Sequence, residues 1–571
     1  MRLGRIAWGI AAAASIAASD KGAAQPANAV VRGELGARVD SFFTRAAYHG
    51  FSGAIVVAHR GEVVLAKGYG LADRERQVPI TAATPFFVGS LAKQFTAAAV
   101  LRLRADGKLS LDDSLGRFFA DVPADKRAIT VRQLLSHTAG LPYLPTSGLF
   151  GRATRDSVMR EMLAESLLFQ PGTRWEYSTA GYILLAGVIE RAAGTTYEQY
   201  LRSMFERAGL RETGFAGERA RWSAFAVRSY TDGSAETTLG DIPALPRFVG
   251  AGSIITTAAD LHRWYSALLR GDVLPHTERD TLFAPVFSPR VRLHQALGWM
   301  LIDLPTGTLR QAAGDIGGFN AELRHYADED LVVAFASNVR VRGRGYREIM
   351  LNYVARISRG EDVPLPPAVT SLAAAELESL PGRYELANGG LIDLWLSGDT
   401  VLVGAADAAG VAALAGHDSL AAQRALEVDA RAERLLAAVE ARDGAESFMH
   451  ASIPVDARRS FLGRLRETLG DSIAQRVSVV GTAVDSPTDS RSYVRVKRGD
   501  SSEVVSLVWS GGMLVGLEPS GRAAYTLRLR GEGPDALASF DLFTGRLLRI
   551  ARVHAGELAV ESNGVTRRAV R

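Results

Sequence analysis

The alternation of apolar and polar positions marks out a run of elements in the first two thirds of the chain. Gly53-Ala54-Ile55-Val56-Val57-Ala58, the turn His59-Arg60-Gly61-Glu62 and Val63-Val64-Leu65-Ala66 predict two strands joined by a tight connection. A helix is predicted at about 90–106, with Phe95, Ala98, Ala99 and Leu103 among its apolar positions and Asp106-Gly107 as its stop. Val131 to Leu135 reads as a short helix running into the turn-rich loop Ser136 to Pro142. Further helices are predicted at 179–193, ending at Gly194, and at 258–271, where Leu261, Trp264, Tyr265 and Leu268 recur at helical spacing. Strand-like runs lie at 297–303, 321–326 and 331–336. Strands at both ends with helices between them predict one α/β sandwich up to about residue 358.

The Pro-rich stretch at 359–370 is the clearest boundary in the chain. Beyond it, residues 382–386 and 391–396 alternate like antiparallel strands, 421–470 is rich in Ala, Arg, Glu and Leu and reads as helical, and 476–530 returns to strands. The expected organisation is a leader over 1–29, a first domain over 30–358, a linker over 359–370 and a β-rich accessory region over 371–571. That region is expected to carry an inserted helix-plus-sheet module at about 420–518. No internal repeat is evident.

The leader has the layout of a secretory signal: Arg2 and Arg5, the apolar run Ile6 to Ala18, then the small triplet Ala27-Asn28-Ala29. That run falls short of the roughly 20 residues needed to span a bilayer. The protein is therefore expected in the periplasm or the medium, with no integral membrane segment once the leader is removed. A content of 47% hydrophobic and 22% charged residues is that of a chain with a large core, not a disordered one. A net charge of +4 over 571 residues, with no local basic cluster, argues against a nucleic-acid surface. The absence of Cys rules out disulfides, thiolate catalysis and Cys-ligated metals. There is no H-E-x-x-H, G-x-x-x-x-G-K or G-x-S-x-G, and the ten His are scattered, so neither cofactor nor metal is expected.

The positive signal is Gly89-Ser90-Leu91-Ala92-Lys93. On a helix, positions three apart share a face, which sets Lys93 one turn above the Ser90 hydroxyl. A serine hydroxyl needs an adjacent base to become a nucleophile. A lysine on an apolar helix is desolvated, which favours its neutral amine. Lys93 is one of only six Lys among 66 basic residues, so its choice over Arg is itself informative. The plainer alternative is a helix-capping serine with a lysine snorkelling to solvent. The second signal is Pro171-Gly172 through Tyr177-Ser178-Thr179 to Gly181-Tyr182. A tyrosine just before a helix can present its hydroxyl to a cleft, and beside a cationic lysine its phenolate is favoured, so it can relay protons. The alternative here is an aromatic anchor with Ser178 as the helix cap.

Ser90-Leu91-Ala92-Lys93, Leu134-Leu135-Ser136-His137-Thr138-Ala139-Gly140-Leu141-Pro142 and Pro171 to Tyr182, in this order and spacing, resemble the serine β-lactamase and penicillin-binding-protein-like family, in particular its class C β-lactamase, DD-peptidase and esterase branch. The resemblance covers roughly residues 35–355. It implies an antiparallel sheet flanked by helices, with a helical lobe and an active site between the two. It also implies that Ser90 is acylated and that Lys93 and Tyr177 serve as general base and acid. His137 falls in what the family pattern makes a structural loop, and Glu176 and Asp315 read as solvated or capping groups.

Two departures stand out. The family's Tyr-x-Asn is here Tyr177-Ser178-Thr179, and a Thr179 hydroxyl cannot offer an amide's paired donor and acceptor to a substrate acylamide. The third motif, usually Lys-Thr-Gly or His-x-Gly, falls on Ala312-Ala313-Gly314, counted back from Gly318-Phe319. Gly314 is kept and the cationic or imidazole side chain is lost. The oxyanion hole, built from backbone N–H groups of Ser90 and of Asp315, is expected to survive.

The leading expectation is thus an exported serine hydrolase acting on an ester or on a peptide or amide of D-residues, with efficient β-lactamase action a further alternative. A competing one is a family member that has lost catalysis and binds peptidoglycan fragments or a protein partner. A sugar-binding role for the accessory region, with Trp395 and Trp509 as stacking platforms, is compatible with either, though packing roles suit both residues better.

Overall fold

The computed structural model describes residues 29–571 apart from 144–152, 232–233, 341–345, 371–373, 398–399, 451–454, 471–472, 486, 534 and 542–545. The proposed leader, up to residue 28, lies outside the described residues.

A nine-stranded sheet organises the first part. Its strands are β1 (Val30–Val31), β2 (Gly53–His59), β3 (Glu62–Tyr69), β4 (Phe287–Arg290), β5 (Leu293–Gln295), β6 (Met300–Leu304), β7 (Gly307–Ile316), β8 (Phe319–Tyr326) and β9 (Leu331–Ser337). They are ordered β1-β3-β2-β9-β8-β7-β6-β5-β4, every pair antiparallel. The period-2 alternation of the central strands serves two cores. Ala54 and Val56 of β2 with Ala334 and Ala336 of β9 face one side. Ile55 and Val57 with Val333 and Phe335 face the other. Both faces are therefore covered, which is why these strands read as almost continuous apolar runs.

Helix α1 (Gly33–Tyr48), through Val39, Phe42 and Phe43, covers the second face together with the last helix of this part, Tyr346–Ser358. The first face packs against α4 (Ala258–Arg270), and its core continues through α2 (Lys93–Ala105) into α3 (Thr179–Ala193), which packs on α2. The predicted Leu261, Trp264, Tyr265 and Leu268 stripe is the buried side of α4. The helix expected at 90–106 is divided in two. Gly89–Ala92 is a 3-10 turn and the α-helix begins at Lys93.

Past the Pro-rich stretch the chain is dominated by strands. A closed eight-stranded barrel is formed by Gly382–Leu386, Leu391–Ser397, Thr400–Ala405, Ala524–Gly533, Ala536–Asp541, Arg546–His554, Glu557–Ser562 and Val565–Val570. It closes where Glu385 and Leu386 pair with Val570 and Ala569. Between its third and fourth strands the chain makes the long helix Ser419–Ala441 and a four-stranded sheet from Val477–Val484 to Met513–Gly521, with a core of its own that includes Leu435, Leu465 and Trp509. Trp509 is 1% exposed and its Nε1 donates to Ser492 Oγ at 3.0 Å, so its ring is a packing element rather than a stacking platform.

Candidate active site

The site begins where the short strand Pro85–Phe87 ends. Val88 N–H donates to Ile254 O, and Gly89 takes the left-handed conformation (φ +51°), turning the chain sharply into Ser90. A Cβ on Gly89 would lie 3.0–3.1 Å from the backbone of Asp315. Gly314 is pinned from the other side: a Cβ there would stand 2.1 Å from Val88 O and 2.6 Å from Ser90 N. These two glycines let β7 lie directly on the turn that carries Ser90, so the Asp315 backbone borders that turn. The Asp315 side chain turns away to an ion pair with Arg347 at 3.0 Å.

Lys93 is 3% exposed, among the apolar residues of the first core. Its Nζ lies 3.2 Å from Ser90 Oγ and donates to Ala251 O at 2.9 Å. Burial pushes its pKa down to about 7. The snorkelling alternative is thereby excluded. So is a capping role for Ser90, since neither the turn nor α2 has a side-chain cap hydrogen bond.

Tyr177 stands immediately before α3, whose cap is Ser178: Gly181 N–H donates to Ser178 Oγ at 3.0 Å. The Tyr177 ring covers Lys93, with Nζ 4.9 Å from its centroid. Burial raises its pKa to about 12, against a hydrogen bond with the Ser90 side chain that lowers it, while the nearby Asp315 charge raises it. This corrects the expectation of a favoured phenolate. The lysine beside Tyr177 loses its own proton near neutrality, and the buried phenol keeps its own.

His137, at a positive φ of 59°, stacks on Tyr177 with centroids 4.5 Å apart and accepts from Ser178 N–H through Nδ1 at 3.0 Å. Burial, then the Lys93 charge, holds its pKa well below the ordinary value, so it is a neutral platform under the phenol. Thr179 is buried and its N–H donates to Tyr143 O at 2.9 Å. Glu176 is exposed, with its N–H on His137 O. Ala312 lies two residues before Gly314 on the same face of β7, a buried methyl at the position where the family pattern usually carries a cationic or imidazole side chain.

Thus the structure brings together Ser90, Lys93, Tyr177, Gly314 and the Asp315 backbone. Sequence reasoning missed three neighbours. The Ala251 carbonyl is carried by the glycine-flanked Gly250-Ala251-Gly252. Tyr143, exposed at the cleft, has its ring 5.6 Å from Tyr177. Arg347 lies far away in sequence, and only Tyr143 had a local signal, in that it directly follows the turn-rich loop Ser136 to Pro142. Among the described residues no group of His, Asp or Glu could hold a metal ion, and no helix is long and apolar enough to cross a membrane.

The profile of the Beta-lactamase family matches residues 38–352, more than half of the chain. The chain belongs to the beta-lactamase family. Within it, a penicillin-binding protein of Bacillus subtilis (strain 168) is 27% identical over 374 residues, 61% of this chain and 82% of the relative. The esterase EstB of Burkholderia gladioli is 33% identical over 224 residues, 35% of this chain and 56% of the relative. Several other curated relatives are matched over less than half of their length. Among solved structures, a D-amino acid amidase from Ochrobactrum anthropi SV3, complexed with D-phenylalanine, is similar in fold with a TM-score of 0.52 at 21% identity, over 57% of this chain and 99% of that one. The Ser90-x-x-Lys93 and Tyr177 signals and the Gly314 strand all lie within the part matched by the family.

Proposed function

We propose that this beta-lactamase-family protein is a serine hydrolase that works through an acyl-enzyme on Ser90, acting on esters or on amides of D-amino acids. The observation that carries the reading is the Lys93 amine. It is buried, neutral for much of the population at pH 7, and commits one N–H to Ala251 O, which leaves its lone pair for the Ser90 hydroxyl 3.2 Å away. In acylation Lys93 takes the Ser90 proton as Oγ attacks the substrate carbonyl. The tetrahedral oxyanion accepts hydrogen bonds from the N–H groups of Ser90 and Asp315, preorganised by the tight packing of Gly314 on the turn. Tyr177, a protonated phenol, delivers a proton to the departing oxygen or nitrogen and recovers one from the Lys93 ammonium. Water then attacks the acyl-enzyme by the reverse proton path, releasing the acid and free Ser90.

The preference for esters and D-amides over β-lactam acids rests on Thr179 and Ala312. Neither supplies the amide fork or the cation that such substrates engage. The named esterase and amidase relatives are consistent with it. The leader would direct export, which fits a substrate found outside the cytoplasm.

Purified protein is expected to hydrolyse p-nitrophenyl acetate, and Ser90→Ala is expected to lose about 10³-fold or more in kcat. Turnover of D-phenylalanine p-nitroanilide against nitrocefin ranks the substrate classes. A second reading, a cleft that binds peptidoglycan fragments without turning them over, is favoured by one observation, the bare methyl of Ala312. Wild-type protein that hydrolyses no ester or amide would put that reading first.

A further inference from the structure

Behind the strand that borders Ser90 lies a chain of buried charges that the proposed mechanism does not use. Glu322 and Arg324, both on β8 and each 1% exposed, pair with one another. Gln311 donates to Glu322 at 2.6 Å, and Arg324 donates to Asn352 at 2.6 Å and to the Tyr326 hydroxyl at 3.1 Å. Arg347, at the start of the helix Tyr346–Ser358, joins this cluster to the active site. Its Nε meets Glu322 at 2.5 Å, and its Nη1 meets Asp315 Oδ1 at 3.0 Å and Gly314 O at 3.4 Å. Burial opposes the Arg347 charge, yet Glu322 and Asp315 hold its pKa above the ordinary value.

The cluster has an evident task in the fold, because breaking a buried pair leaves an uncompensated charge. Two features go beyond that. First, the guanidinium grips the carbonyl of Gly314 and the side chain of Asp315, the two residues that set the position of the Asp315 N–H against the Ser90 turn. Second, the Asp315 carboxylate, though turned towards Arg347, still acts on the cleft in which negative charge develops on the substrate oxygen. The Tyr177 and Tyr143 phenols both feel that carboxylate. An unpaired anion there opposes the oxyanion, and the Arg347 cation offsets it.

We infer that Arg347 is a positioning residue for acyl transfer, acting through Asp315: it fixes the strand end that supplies the oxyanion N–H and neutralises the carboxylate beside it. This rests on the acyl-enzyme reading and adds a specific electrostatic dependency to it. Arg347→Gln is expected to lower kcat for p-nitrophenyl acetate by about 10- to 30-fold while KM stays within about threefold, since the interaction matters in the transition state. Adding Asp315→Asn removes the charge that Arg347 offsets but not the lost hold on Gly314 O, and the double variant is expected to recover kcat about threefold or more over Arg347→Gln alone. Full kcat in Arg347→Gln, or a double variant as slow as the single one, overturns the inference. So does failure of Arg347→Gln to fold in both backgrounds, which assigns Arg347 to the scaffold alone. An inactive wild-type protein instead removes the acyl-enzyme reading on which this one stands, so the two failures are told apart by the wild-type lane.

Discussion

The sheet part and the barrel part of this chain are both well-packed, yet they bury different things. Among the described residues of the first part, Asp73, Lys93, Lys126, His137, Asp260, Glu278, Glu322, Arg324 and His325 are buried and charged or chargeable. Among the described residues past 371 the residues buried as a whole and polar are Ser and Thr, namely Thr482, Ser490, Ser492, Ser506, Ser539 and Ser562, and the buried Asp485 side chain, paired with Arg491 at 3.2 Å, is the charged exception. A buried hydroxyl is satisfied cheaply by one hydrogen bond, whereas a buried ionisable group costs several kcal/mol unless it is paired or gives up its charge. Asp260 is held by the N–H groups of Arg211 and Glu212 and by Arg263, and Glu322 by Arg324 and Arg347. Among the described residues Lys93 has no carboxylate partner, and its hydrogen bonds go to a carbonyl and the Ser90 hydroxyl. Of the buried charged groups it is the one whose charge the fold does not offset, and that separates a chemical group from a scaffold group.

The contrast can be broken most severely at Lys93. Lys93→Met should lower kcat for an ester by about 10³-fold, measured by p-nitrophenol release. The same variant should melt higher than wild type. The unfolded chain holds a proton on this lysine up to about pH 10.5 and the folded chain only to about 7, so the fold is penalised fully below pH 7 and progressively less as pH rises between the two values. The gain in stability is therefore expected to be largest at or below neutral pH, on the order of 5 kcal/mol less the cost of the lost hydrogen bond to Ala251 O, and to shrink towards pH 10. For the wild type, kcat/KM should climb about tenfold per pH unit on the acid side and level off above about pH 7. A variant that loses activity without gaining stability would place the lysine among the paired scaffold charges.

Tyr177→Phe is the next step down. It keeps the ring on His137 and Lys93 and removes the proton donor, so kcat should fall by about 10²-fold with little change in melting temperature. The loss should be smaller for p-nitrophenyl esters, whose leaving group needs no proton, than for an anilide. Equal losses for both would argue that the phenol positions rather than protonates. At the small end lies Trp509→Ala. It empties a buried site in the second part and should destabilise that part by about 3–5 kcal/mol, seen as a lower melting transition, with kcat for small esters unchanged. A matching fall in kcat would show that the two parts are not chemically separate.

Much of the site was legible because it is local. Ser90 and Lys93 are three apart, Ser178 caps a helix whose apolar run is unmistakable, and the Gly314 slot followed from its distance to Phe319. What the chain did not disclose depends on contacts made across hundreds of residues. The proton on Tyr177 was misjudged because its charge state follows from how deeply Lys93 is buried, a property of packing rather than of spacing. Ala251 and Arg347 reach the site from segments about 160 and 260 residues past Ser90, and no local pattern marks them. The helix predicted from about residue 90 begins three residues later, because the left-handed Gly89 and the pressure of Gly314 force a tighter turn on Ser90. In the second part the strands at 382–386 and 391–396 were visible from alternation. Their closure with Val565–Val570 was not, since it joins residues more than 180 positions apart.

The most direct test of the account is intact-mass spectrometry of wild-type protein after brief exposure to a fluorophosphonate, followed by peptide mapping of the adduct. A single added phosphonyl group on Ser90, formed faster above pH 7 than below and absent in Ser90→Ala, is the predicted result. An unmodified protein, or an adduct on any other residue, would contradict it.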